Sequence, residues 1–138
     1  MLKQLHTKWW KVLCVLLLGY TFIYGLLVEI PNVALLHETV RNLFFHVPCW
    51  FAMLLLMLTS LVYSIKYLRT GKTKYDLAAV ALLRMAVTFG ILGYLTGMLW
   101  GNYIWGNLVS WITNDTKILG TVIGLLIYFA YFIWRGSI

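Results

Sequence analysis

The stretch from Gly97 to Gly120, GMLWGNYIWGNLVSWITNDTKILG, decides how the chain is divided. It carries three of the seven tryptophans, Trp100, Trp105 and Trp111, interleaved with Gly, Asn and Ser, and it separates two long apolar runs. The segment is too polar for a membrane span and too aromatic for an ordinary linker. It reads as an aromatic platform at a membrane surface over residues 100–117. Indole rings also settle at the headgroup level with no ligand present, so a plain interfacial belt explains the same tryptophans.

Working outward, the flanking runs set the fold class. The chain has 138 residues, of which 62% are hydrophobic and only 11% charged, with a mean hydropathy of +0.86. That balance lies far from soluble domains and reads as an all-α integral membrane protein of one domain. Apolar runs place four spans at about 12–28, 47–65, 77–99 and 118–134. A basic start without a small-x-small site, followed by Glu29-Ile30-Pro31, makes the first an uncleaved helix with Trp9 and Trp10 at its inner end. Between spans one and two, Val33, Leu36, Val40, Leu43 and Phe44 recur at helical spacing, which predicts a short interfacial helix over about 32–45. Pro48 is expected at the first helical position of span two, which puts His46 just ahead of the helix.

The formal charge of +7 is distributed in short basic blocks beside the spans, as topology requires, and does not indicate nucleic acid. Three basic residues precede span one, four lie between spans two and three, and single ones occupy the other two loops. Both termini and the 66–76 loop are therefore expected in the cytoplasm of a multi-pass protein, with His37, His46 and the indoles from Trp100 to Trp111 on the outer face. Arg84, inside span three, is about two turns from the Lys-rich end, close enough for its side chain to snorkel to the headgroups. Cys14 and Cys49 fall in no CxxC or CxxCH pattern, so neither a disulfide framework nor covalent haem attachment is indicated.

An imidazole and several indoles on one membrane face suit a flat, apolar, metal-bearing ligand, for which non-covalent haem b is the candidate. Two indoles over a porphyrin face would bury about 200–300 Å², worth about 5–8 kcal/mol. Association costs roughly 4–15 kcal/mol, so stacking alone binds weakly and an axial ligand is needed. His46, beside the positive end of a helix, is the nitrogen kept neutral enough to serve, although an interfacial histidine bonded to a loop carbonyl would look the same in sequence. Asp115 or Asn114 would cap span four, and Lys117 lies beside them. No nucleophile–base pair, carboxylate pair or phosphate loop occurs, so the chain reads as a non-enzyme.

Two stretches together resemble a known family. Val40 to Ala52, VRNLFFHVPCWFA, is similar to the FHVP segment of CcmC, the haem exporter C family of cytochrome c maturation, and residues 97–120 resemble that family's tryptophan-rich WWD segment in a variant form. KYLRTGK, between spans two and three, has the family's look as well. The resemblance implies a bacterial inner-membrane protein that binds haem at the outer face and passes it to the haem chaperone CcmE, alongside an ABC transporter and a small accessory subunit. It implies His46 as an axial iron ligand, with Trp100, Trp105, Gly106, Trp111, Asn114 and Asp115 around the haem. The family's tryptophans are packed more tightly before the Asp than Trp105, Trp111 and Asp115 are here. The family also has six spans and a second axial histidine after the WWD segment, whereas this sequence has four spans and no histidine beyond His46. If the chain is truncated, further spans and an outer-loop histidine are expected downstream. If it is whole, haem would be five-coordinate, use His37, or sit between two copies. The other reading is a small four-helix membrane subunit or scaffold whose tryptophans are interfacial and which holds no haem.

Overall fold

The computed structural model describes residues 2–31, 33–34, 36–107 and 113–136, with side chains from residue 8 onward. The described backbone is built from four long helices: α1 (Leu2–Leu27), α2 (Leu43–Thr70), α3 (Thr73–Trp105) and α4 (Thr116–Gly136). Each is long and apolar enough to cross a membrane, so the expectation of an all-α membrane protein with four spans holds. The helices overrun the apolar runs at most ends. Hydropathy marks the part that sits in hydrocarbon, while backbone hydrogen bonding continues into the polar flanks. The chain divides into two units, Met1–Phe44 and Phe45–Ile138.

In the first unit α1 is exposed nearly all round, with Val15 68% and Leu27 76% accessible, as expected of a helix whose neighbour is lipid or further protein. Its end is closed by Arg41. The guanidinium Nη1 donates to the Val28 and Gly25 carbonyls at 2.7 and 3.3 Å, and Nε pairs with Glu38 at 2.7 Å. Carbonyls at a helix C-terminus lack intrahelical donors, and a cation there also complements the helix dipole. The periodicity that predicted a helix over 32–45 therefore resolves differently. It yields a short 3-10 helix, His37–Asn42, that begins on a positive φ of 42° at His37 and leads directly into α2. Tyr24 meets the edge of Phe44, with ring centres 6.5 Å apart.

In the second unit α2 and α3 form a hairpin through Gly71, whose φ of +65° favours glycine. α2 is already helical at Leu43, so Pro48 lies inside it and His46 belongs to its first turns. The expectation of Pro48 at the first helical position is corrected accordingly. Pro48 removes the bond an amide there would give to the Phe44 carbonyl, and its ring crowds that carbonyl.

α3 is the central rod of this unit. Its buried positions are small residues: Ala79, Ala86, Gly90, Gly93 and Gly101, with Val80 and Val87. In lipid there is little hydrophobic drive between helices, so small residues that let backbones approach are what create the packing. A Cβ on Gly90 would lie 3.0 Å from the Met53 sulfur on α2 and 3.4 Å from Leu125 on α4. Ser60 on α2 donates to the Ala79 carbonyl at 2.8 Å. Asp76 in the first turn of α3 pairs with Arg135 in the last turn of α4, each charge opposing the dipole of its own helix end. Arg135 also donates to the Tyr131 hydroxyl at 3.2 Å. The Arg84 guanidinium lies 5.9 Å from the centre of the Phe132 ring, near the Arg135 end of α4. The side chain thus runs toward the Lys-rich loop, in the direction snorkelling requires.

Candidate functional site

The chemistry of the second unit converges where the first turns of α2 meet the last turns of α3. His46 comes from α2; Thr96 and Trp100 come from α3. Two features of α3 admit the imidazole. At Gly97 a Cβ would stand 2.7 Å from His46 Cε1, closer than real side chains come, so the ring rests in the space a side chain would fill. Beside it the Thr96 hydroxyl lies 3.1 Å from His46 Nδ1.

The tautomer follows from the partners. Trp50, one turn along α2, directs its indole N–H at His46 Nε2 from 3.0 Å. An indole N–H can only donate, so Nε2 accepts and the ring proton is on Nδ1. Nδ1–H then donates to Thr96 Oγ1, whose own hydrogen is directed at the Leu92 and Gly93 carbonyls at 2.8 and 3.0 Å. The imidazole is neutral and its Nδ1 side is locked. Two indoles flank it edge-on: Trp50 with ring centres 5.9 Å apart and Trp100 at 6.0 Å.

The remaining expected residues separate. α3 continues through the tryptophan-rich segment as far as Trp105, so Trp100 and Trp105 are helical. At 3.6 residues per turn they point roughly 140° apart. Trp100 meets His46, while Trp105 is 65% exposed. A single shelf holding both indoles is therefore replaced by one indole at the histidine and one facing outward. Gly106 ends α3 in a left-handed conformation, φ +70°, with its N–H on the Asn102 carbonyl at 2.9 Å; this is a helix-terminating glycine. Asp115 caps α4, its carboxylate accepting the Lys117 N–H at 2.8 Å. Asn114 immediately precedes that cap. Trp111 lies outside the described residues, and His37 belongs to the first unit.

Trp50, Thr96 and Gly97 are the members that sequence reasoning missed. Their signal was present as helical spacing: His46 and Trp50 are four apart, and Gly90, Gly93 and Gly97 mark one face of α3.

The donor set tests which ligand the site fits. No group of three or more His, Cys, Asp or Glu side chains that could hold a metal ion occurs among the described residues. A porphyrin, which brings four nitrogens of its own, would need from the protein one axial nitrogen and aromatic walls; the residues that would hold it here are His46, whose Nε2 now accepts the Trp50 N–H, and Trp100.

No family model and no solved structure matches the chain. Over 100 residues the chain is 32% identical to Heme exporter protein C of Bradyrhizobium diazoefficiens. The matched region is 71% of this chain and 36% of that protein, so the chain spans about a third of the relative's length. Multi-pass membrane architecture, taken with this match, supports the CcmC-like resemblance carried by the FHVP and tryptophan-rich segments.

Proposed function

We propose that the chain binds haem through His46 and hands it on during cytochrome c biogenesis, as a non-enzymatic haem-handling membrane protein. The observation that carries this reading is the neutral imidazole at the α2–α3 contact, locked by Thr96 on one nitrogen and walled by Trp50 and Trp100. Similarity to a haem exporter C protein supports the same reading. Bound haem would supply an iron centre that takes one nitrogen ligand from the protein. Thr96 would hold the ring proton on Nδ1, so that the Nε2 lone pair is the one offered, and the Trp100 edge would limit how the ring turns. Lys117 would meet the propionates.

Delivery goes to an external haem chaperone of the CcmE type, with an ABC transporter and accessory subunit as partners. The site faces outward from a bacterial inner membrane with both termini inside, as the basic loops favour. The test is a haemin titration of the purified chain in lipid nanodiscs. The expected outcome is a Soret band that His46→Ala removes while helicity is retained. An identical spectrum in the variant removes the axial-ligand assignment. A chain that takes up no haem yet assembles normally into a membrane complex would instead be a scaffold subunit.

A further inference from the structure

We infer that Trp50 is a latch on His46: its indole N–H occupies the nitrogen that would ligate iron, and it must swing aside for haem to load. This rests on the reading of His46 as the axial ligand and adds the residue that controls that ligand's availability.

The hydrogen bonds run in one direction, from the Trp50 indole to His46 Nε2, from Nδ1 to the Thr96 hydroxyl, and from that hydroxyl to the Leu92 and Gly93 carbonyls. Moving the ring proton to Nε2 would set two N–H groups against each other at Trp50, so the donor-only indole fixes the tautomer and the Thr96 hydroxyl accepts from Nδ1. Nε2 has one in-plane lone pair. It cannot be shared between an indole hydrogen 3.0 Å away and a metal, so latch and ligation exclude each other.

Of the two rings, the indole is the one that leaves. His46 is pinned by the Thr96 bond and by its seat against the α3 backbone at Gly97. Trp50 rests in the neighbouring notch at Gly93, where a Cβ would lie 3.3 Å from its Cε2 and Nε1, and its polar link to His46 is a single neutral bond. The four-residue spacing on α2 keeps the latch next to its target when it opens. A competitor of this strength reduces haem affinity without abolishing it, which suits a site that must release what it takes up.

Haemin titration and carbethoxylation of the full chain in nanodiscs, with Trp50→Phe beside the wild type, test this. The substitution keeps an aromatic ring at the notch and deletes the donor. Haemin should bind Trp50→Phe roughly three- to tenfold tighter, the worth of one neutral hydrogen bond. In the unloaded chain, diethyl pyrocarbonate should modify His46 several-fold faster in Trp50→Phe, with the His37 rate unchanged as internal control. An unaltered His46 rate overturns the latch whatever haemin does. A His46-dependent Soret band that is equal or weaker in Trp50→Phe overturns the latch and leaves the haem reading standing. Absence of a His46-dependent band in both proteins overturns the haem reading and the loading claim with it. If Trp50→Phe does not fold, the wild type decides: with diamagnetic zinc protoporphyrin as the probe, the Trp50 indole N–H should exchange with deuterium faster once the porphyrin is bound, and an unchanged rate at saturation overturns the proposal.

Discussion

The two ends of α3 are fastened by different chemistry. At the end that begins with Thr73, Asp76 and Arg135 tie α3 to α4 by charge, and Lys66 and Lys74 lie over Tyr63 and Tyr75 at 5.3 and 5.1 Å. At the other end, some thirty ångströms along the rod by helical rise, the polar partners are an imidazole, a hydroxyl, backbone carbonyls and an indole, with no formal charge among them. Only one of these ends can exchange a partner. An ion pair between helix termini satisfies both its members and holds the helices in place. A neutral chain of hydrogen bonds that ends on a ring nitrogen can give up its last member to a better ligand at small cost.

Substitutions can break or sharpen that contrast. The largest effect is expected at His46, where alanine should weaken haemin binding at least about 100-fold in a Soret titration, because loss of partners behind a ligand already costs 10- to 100-fold. Next is Gly97→Ala, whose new methyl would stand 2.7 Å from His46 Cε1. Overpacking of this kind costs about 1–3 kcal/mol, visible as a lower thermal midpoint, and should shift the imidazole enough to reduce haemin affinity about tenfold. Thr96→Val keeps the shape and removes the acceptor for Nδ1–H, so haemin affinity should fall several-fold with little change in stability; equal affinity would show that the hydroxyl does not orient the ring. The smallest effect is expected from Asp76→Asn at the charged end. Partly exposed pairs are worth about 1 kcal/mol or less, so stability should drop slightly and in a salt-dependent way while the Soret titration stays as in wild type. A change in haemin binding there would mean the two ends of α3 are coupled.

How far the sequence could be read depended on the reach of each interaction. Hydropathy located all four helices because it reports a property of whole segments. The direction of the Arg84 side chain was legible from its distance to the Lys-rich loop, and Asp115 as a cap from its place before an apolar run. Arg41 was not legible in the same way. Nothing in the spacing of residues 32–45 marks it out, yet it reaches back across the turn to the carbonyls of α1. Nor was the path of α3 through Trp100 and Trp105, since Gly101 and Asn102 read as interruptions and only Gly106 ends the helix.

By itself the sequence determined that this chain is a helical membrane protein with four apolar runs long enough to span, that its basic blocks favour one orientation, and that His46 is the histidine of a segment resembling the FHVP motif. Those conclusions rest on composition and order along the chain. Tertiary structure alone decided which side chains share a site: it brought Thr96 and Gly97 against His46, turned Trp50 back onto Nε2, kept Trp100 and sent Trp105 outward. The physical reason is that hydrogen-bond direction and close backbone approach depend on the rotation of one helix against another, and a single ordered string of residues does not state that angle.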